Sequence, residues 1–144
     1  MPKGRPKSKL LLDTHAWIWI VNGDDQLRKS SSFQLLQKEI ASSEIYVSVI
    51  SVWEVSMLEQ KGRISFKQGC AGWVQSACDR AGIAVAELTP TIAIESTQFE
   101  TAFHGDPADR IIFSTAMSLG ATLVTRDQKI ISFAKKKKLP IFKI

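Results

Sequence analysis

Residues 10–19 read LLLDTHAWIW. Three consecutive leucines are too few for a helix core, and their lack of alternation marks a short strand buried on both faces. Asp13 interrupts the apolar run where such a strand would end. Ala16, Trp17, Ile18 and Ile20 then predict a helix, which stops at Asn22-Gly23. A buried strand that ends in a carboxylate and passes at once into a helix is the entry to an α/β unit.

Working outward, the same alternation recurs. Phe33, Leu36 and Ile40 predict a helix over 32–40, and Ile45 to Val47 a second buried strand. Residues 48–61 read as a helix closed by Gly62, and 71–80 as another ending at Gly82, before a strand at Ile83 to Val85. Thr89-Pro90 and Asp106-Pro107 each open a helix, since proline suits the first helical position; the second of these ends near Gly120. A strand at Thr122 to Val124, a short helix after Asp127 and a β-like Ile141 to Ile144 complete the chain. Short apolar strands alternating with helices predict an α/β fold, a parallel sheet covered on both faces.

The chain has 144 residues, 44% of them apolar, enough for one domain with a real core. Its net charge of +5 is unevenly placed. Lys3, Arg5, Lys7 and Lys9 lie in a Pro/Gly-containing segment, residues 1–9, read as a basic flexible tail ahead of a domain over 10–144. Lys135 to Lys138 form a second cluster. Setting these eight aside leaves 11 basic residues against 14 acidic, so the body of the domain is net negative. The basic ends read either as solvated runs or as attractors of a polyanion. Cys70 and Cys78, on one predicted helix, would be about 12 Å apart along its axis, too far for a disulfide. They read as reduced thiols in a reducing compartment. No apolar run reaches membrane-spanning length and no signal-peptide pattern opens the chain, so a cytoplasmic protein is expected.

Four carboxylates stand out by position. Asp13 and Asp127 fall just past the downstream ends of predicted strands, where parallel sheets bind ligands. Glu54 and Asp109 interrupt apolar helix faces: Ile50, Met57 and Leu58 neighbour the first, and Ile112, Phe113 and Ala116 the second. A carboxylate on such a face is costly to bury without a cation, and no lysine or arginine sits at helical spacing beside Glu54. A shared metal site would explain both. Oxygen-only ligands suit Mg²⁺ or Mn²⁺ rather than zinc, and such an ion orients a phosphodiester and acidifies the attacking water. Each acid also has a plainer reading. Asp13, Asp106 and Asp127 can cap helices, Asp109 at the third helical position suits the dipole, and Glu54 can reach its carboxylate to water.

His15 and His104 are not brought together by any pattern, so paired-histidine acid–base catalysis has no support, and both read as structural or peripheral. Trp17, Trp19, Trp53 and Trp73 fall within helices and read as core or interface rather than base-stacking platforms. Phosphate-loop, dinucleotide and serine-hydrolase motifs are absent.

Taken together, LLLDTHAWIW (10–19), SVWEVSML (51–58), HGDPADRIIFSTA (104–116) and ATLVTRD (121–127) resemble the PIN-domain family and, within it, VapC-type toxins of type II toxin–antitoxin systems. The resemblance covers the chain from about Leu10 onward. It maps the family's four acids onto Asp13, Glu54, Asp109 and Asp127, as metal ligands and catalytic residues, with Thr125 as a hydroxyl that supports the metal site. It implies a three-layer α/β/α fold with a central, mainly parallel five-stranded sheet. It implies Mg²⁺- or Mn²⁺-dependent endoribonuclease activity on structured RNA, homodimerisation, and inhibition by a cognate antitoxin whose tail covers the site. Arg110 completes a D-P-x-D-R pattern and is a candidate contact for substrate or partner. Two alternatives stay open: a PIN-like RNA- or protein-binding module without turnover, and a PIN nuclease acting outside a toxin system.

Overall fold

The structure, a computed structural model, describes residues 7–99 and 106–144. His104 and Gly105 of the HGDPADR motif, and residues 1–6 of the basic segment, lie outside the described residues. Five strands, β1 (Ser8–Leu12), β2 (Ser43–Ser48), β3 (Ile83–Ala86), β4 (Thr122–Thr125) and β5 (Ile141–Lys143), form one parallel sheet in the order β3-β2-β1-β4-β5. The helices are α1 (Thr14–Asn22), α2 (Asp25–Lys29), α3 (Ser31–Ala41), α4 (Val49–Gln60), α5 (Gly69–Ala81), α6 (Pro90–Thr97), α7 (Pro107–Leu119) and α8 (Gln128–Lys137).

The LLL run behaves as a centre strand must. Leu10 and Leu12 enter one core with Trp17, Leu36, Val55 and Trp73, while Leu11 enters the other with Ile112, Phe113, Leu123, Ile130 and Phe133. Alternate residues of a strand face opposite sides, so β1 nails both helical layers to the sheet. Val47 and Val124 follow Leu12 into the first core, and Leu123 follows Leu11 into the second. Helices α1, α3, α4 and α5 contribute to the first core, and α7 and α8 build the second, giving the expected α/β/α layers.

Two details depart from the sequence reading. The first strand begins at Ser8 rather than Leu10, because Ser8 and Lys9 continue the ladder against Ser43 and Glu44 of β2. The ladder therefore extends two residues into the segment read as tail. Helix α2 was not expected: it has five residues, nucleated by the Asp24 side chain accepting from Leu27 N–H at 2.8 Å. Helix stops at Gly82 and Gly120 fall as expected, both in the left-handed conformation that glycine adopts without a Cβ clash. Among the described residues, no helix is long and apolar enough to cross a membrane.

Candidate metal centre

From β1 the chain runs outward through β2 to β3, then returns to the other side of β1 as β4. The direction of travel thus reverses between β1 and β4. The loops leaving their carboxyl ends diverge to opposite faces and leave a crevice there. Asp13 follows β1 directly and Asp127 follows β4 by two residues. Helix α4 begins right after β2, which brings Glu54 to the same end, and the start of α7, which packs on α4, brings Asp109. A cleft of about 400 Å³ is lined by Asp13, Glu54, Asp109 and Asp127, together with Thr14, His15, Trp19, Asp106 and Arg126. All four acids singled out by the sequence meet in one place.

Capping and site membership coexist. Asp13 Oδ1 accepts from Ala16 N–H at 2.8 Å and starts α1. Asp127 Oδ1 accepts from Lys129 N–H at 2.8 Å and Ile130 N–H at 3.2 Å and starts α8. Asp106 caps α7 through Ala108 N–H at 2.9 Å, and it also lines the cleft, which its reading as a plain cap did not anticipate. Helices α1, α7 and α8 therefore present their positive dipole ends to the acids.

Hydroxyls hold two carboxylates in place. Thr125 is buried; it donates to Asp13 Oδ2 and accepts from Asp127 N–H at 3.1 Å, linking the two strand-end acids through one oxygen. Thr14 donates to Glu54 Oε1 at 2.6 Å and is hydrogen-bonded at 2.9 Å to the Ser51 hydroxyl, tying α1 to α4. Thr14 and Ser51 escaped the sequence reading because a hydroxyl on a buried helix carries no signal of its own.

Burial dominates the electrostatics of the cleft's carboxylates. Burial raises the Asp13 carboxyl above its ordinary value, opposed by the Thr125 and Ala16 hydrogen bonds. Burial likewise raises Glu54, opposed by Thr14. Asp109 is pushed up to about 7, by burial first and then by Asp106, Glu54, Asp127 and Asp13. Each is a carboxylate that a positive charge would stabilise. The donor set is carboxylates supported by the Thr14 and Thr125 hydroxyls, with the His15 imidazole also in the cleft lining and no thiol there, and this oxygen-dominated set fits a hard cation. Among the described residues no three of these groups stand close enough to make a ready ligand shell; the fit is one of chemistry and charge, with an open cleft around it.

Three further residues singled out in the sequence have the following places. His15 is exposed and lines the cleft, and its charge lowers the pKa of Asp13 and Glu54. Trp19 also lines the cleft, whereas Trp17 and Trp73 are core, as expected. Arg110 donates from Nη1 to the Ser96 carbonyl of α6 at 3.4 Å and is not among the lining residues; the arginine at the cleft is Arg126.

A model of the PIN domain matches residues 10–137. The chain is 30% identical over 121 residues to the ribonuclease VapC22 of Mycobacterium tuberculosis, covering 84% of this chain and 88% of that protein. Its fold is similar to the solved VapBC2 of Rickettsia felis bound to a promoter DNA fragment, with a TM-score of 0.68 at 17% identity, over 94% of this chain and 98% of that one. It is also similar to VapBC-1 of nontypeable Haemophilus influenzae, with a TM-score of 0.63 at 14% identity, over 94% and 97% of the two chains. With the model match spanning almost the whole chain and the acids gathered at the switch point, the chain belongs to the PIN-domain family, and within it to the VapC type.

Proposed function

We propose that this protein is the toxin of a type II toxin–antitoxin pair, an Mg²⁺- or Mn²⁺-dependent endoribonuclease that hydrolyses RNA phosphodiester bonds in the cytoplasm. The observation that carries the reading is the convergence of Asp13, Glu54, Asp109 and Asp127, from four separate elements, on one cleft. These four would hold the cation. When bound, it supplies charge neutralisation for a phosphodiester and a more acidic water. The chain's own residues do the positioning. Thr125 fixes Asp13 against Asp127, Thr14 fixes Glu54, and the helix N-termini favour an anion at the mouth of the cleft. Arg110, tethered to α6, would hold the start of α7, and with it Asp109, in register.

Inhibition by a cognate antitoxin fits a second feature. Beside the cleft, Ile50, Trp53, Met57 and Pro107 line an apolar groove that also reaches Glu54 and Asp106, and Trp53 is 57% exposed. A partner segment carrying apolar side chains followed by an arginine or lysine would fill both. Homodimerisation, implied by the resemblance, belongs to the same proposal.

The test incubates the purified protein with RNA and DNA oligonucleotides in Mn²⁺ and in EDTA, beside Asp109→Asn. Cleavage of RNA alone, in Mn²⁺ alone and absent in the variant, is expected. DNA cleavage would place the enzyme outside a toxin role, and RNA binding without products in any metal would reduce it to a binding module.

A further inference from the structure

The rim of the cleft carries an arrangement that none of the roles above uses. The Arg126 guanidinium carbon lies 4.2 Å from the centre of the Trp19 ring, and Arg126 Nε donates to the Ile144 main-chain carbonyl at 3.3 Å. Trp19 is itself flanked by His15, ring centres 5.8 Å apart, and all three residues line the cleft. An arginine adjacent in sequence to Asp127 and facing an acidic cleft would, as a simple counterion, pair with a carboxylate. Arg126 pairs with none of the cleft carboxylates: its tethers are an aromatic face and the main-chain oxygen of Ile144, and both Nη groups are without a hydrogen-bond partner among the described residues.

A guanidinium stacked on a ring and pinned at Nε has lost most of its rotamer freedom before any ligand arrives. Its planar fork of Nη donors matches a phosphate geometrically. An RNA strand entering this cleft also meets several carboxylates, and a fixed cation at the mouth offsets that repulsion for one of its phosphates. We infer that Arg126, held by Trp19 and the Ile144 carbonyl, is a substrate-positioning residue that binds an RNA backbone phosphate flanking the one to be cleaved. The inference deepens the proposed ribonuclease reading and rests on it for the word substrate.

Two readouts test it. The first is the affinity of a fluorescein-labelled 12-nucleotide RNA in EDTA, measured by anisotropy across a salt series. Loss of one phosphate contact in Arg126→Gln should weaken binding about tenfold and flatten the log–log salt slope by about 0.7. Arg126→Lys, which keeps the charge without the fork, should restore the slope but only part of the affinity. Trp19→Ala should behave as Arg126→Gln does, and the double variant no worse than either. The second readout is steady-state cleavage in Mn²⁺, where KM should rise about tenfold with kcat changed by no more than about threefold. A folded Arg126→Gln protein with unchanged salt slope and KM would overturn the inference. If the wild-type protein cleaves nothing, the ribonuclease reading fails while the slope measured in EDTA still decides whether Arg126 grips a phosphate.

Discussion

The two ends of the central sheet carry opposite charge, and they carry it at different cost. At the amino end lie Lys7, just before β1, and Lys135 to Lys138, brought there as α8 runs back along the sheet to meet β5. Lys135, Lys136 and Lys138 are exposed, and Lys135 to Lys137 sit in the last turn of α8, where cations complement the helix dipole. These charges are solvated and locally satisfied. At the carboxyl end Asp13 is 6% exposed, and it, Glu54 and Asp109 are all driven toward protonation by burial. Caps alone would not require that, since an acid can cap a helix without being fully buried, as the half-buried Asp24 does for α2. The contrast shows that an acidic or basic run says little about function until its desolvation is known. The end where charge is expensive is the end at which we propose that a cation binds.

The sharpest way to break this contrast is to remove a charge from the costly end. Asp13→Asn and Asp109→Asn should each lower RNA cleavage by about 10³-fold, the effect of losing several kcal/mol of charge stabilisation, with circular dichroism unchanged. Full turnover in either folded variant would contradict the account.

Removing a support rather than a ligand should cost less. Thr125→Val leaves Asp13 Oδ2 without its donor and Asp127 N–H without its acceptor. Cleavage should fall about 10- to 100-fold, as for other residues that orient metal ligands. Chemical denaturation should show a loss of about 1–3 kcal/mol from the stranded buried polar groups.

The linkage to pH has a defined sign. Asp109 has a folded pKa near 7, above its ordinary value of 3.8. Between those values the folded state holds a proton that the unfolded state has released, so stability falls as pH rises through this window and is level above it. Asp13 and Glu54 act in the same direction. In EDTA, melting at pH 5.5 should exceed that at pH 8 by on the order of a few degrees, a modest figure because Asp109 is partly solvated. Saturating Mn²⁺ should abolish the difference by stabilising the ionised carboxylates. A metal-free melting temperature that rises with pH over this range would run against it.

The amino end should respond most weakly. Replacing Lys135 to Lys138 by glutamine should leave cleavage of a short RNA within about twofold, since these side chains lie beyond a Debye length from the cleft along α8, about 15 Å long. Lys138 is the one described non-glycine residue with positive φ, at 56°. Lys138→Gly should therefore stabilise the fold by about 0.5–1 kcal/mol with activity intact, as read by urea denaturation and the RNA assay.

Much of this was legible in the residues themselves. The Leu10 to Leu12 run without alternation announced a strand with two buried faces, and the four acids betrayed themselves by lying past strand ends or on apolar helix faces. What stayed hidden is what only the assembled crevice defines. Ala16, Trp17 and Ile18 are buried in succession, so α1 is packed nearly all round and its periodicity could not show that Trp19, one residue further on, reaches the cleft. Arg126 gave no signal because its meaning depends on Trp19 and Ile144, both distant in sequence. Asp106 was legible as a cap and illegible as a lining residue, because the first role is local and the second is not. Helix α2 was too short for any periodic pattern to declare it.

The central claim is that the carboxyl end of the sheet holds a divalent cation through its carboxylates. Titration of the protein with Mn²⁺, following free Mn²⁺ by its paramagnetic resonance signal, tests that without recourse to substrate or turnover. The account predicts saturable binding that weakens at least about tenfold in Asp13→Asn and in Asp109→Asn and is unaltered by replacing Lys135 to Lys138. Binding equally tight in all of these proteins, or none in the wild type, would contradict it.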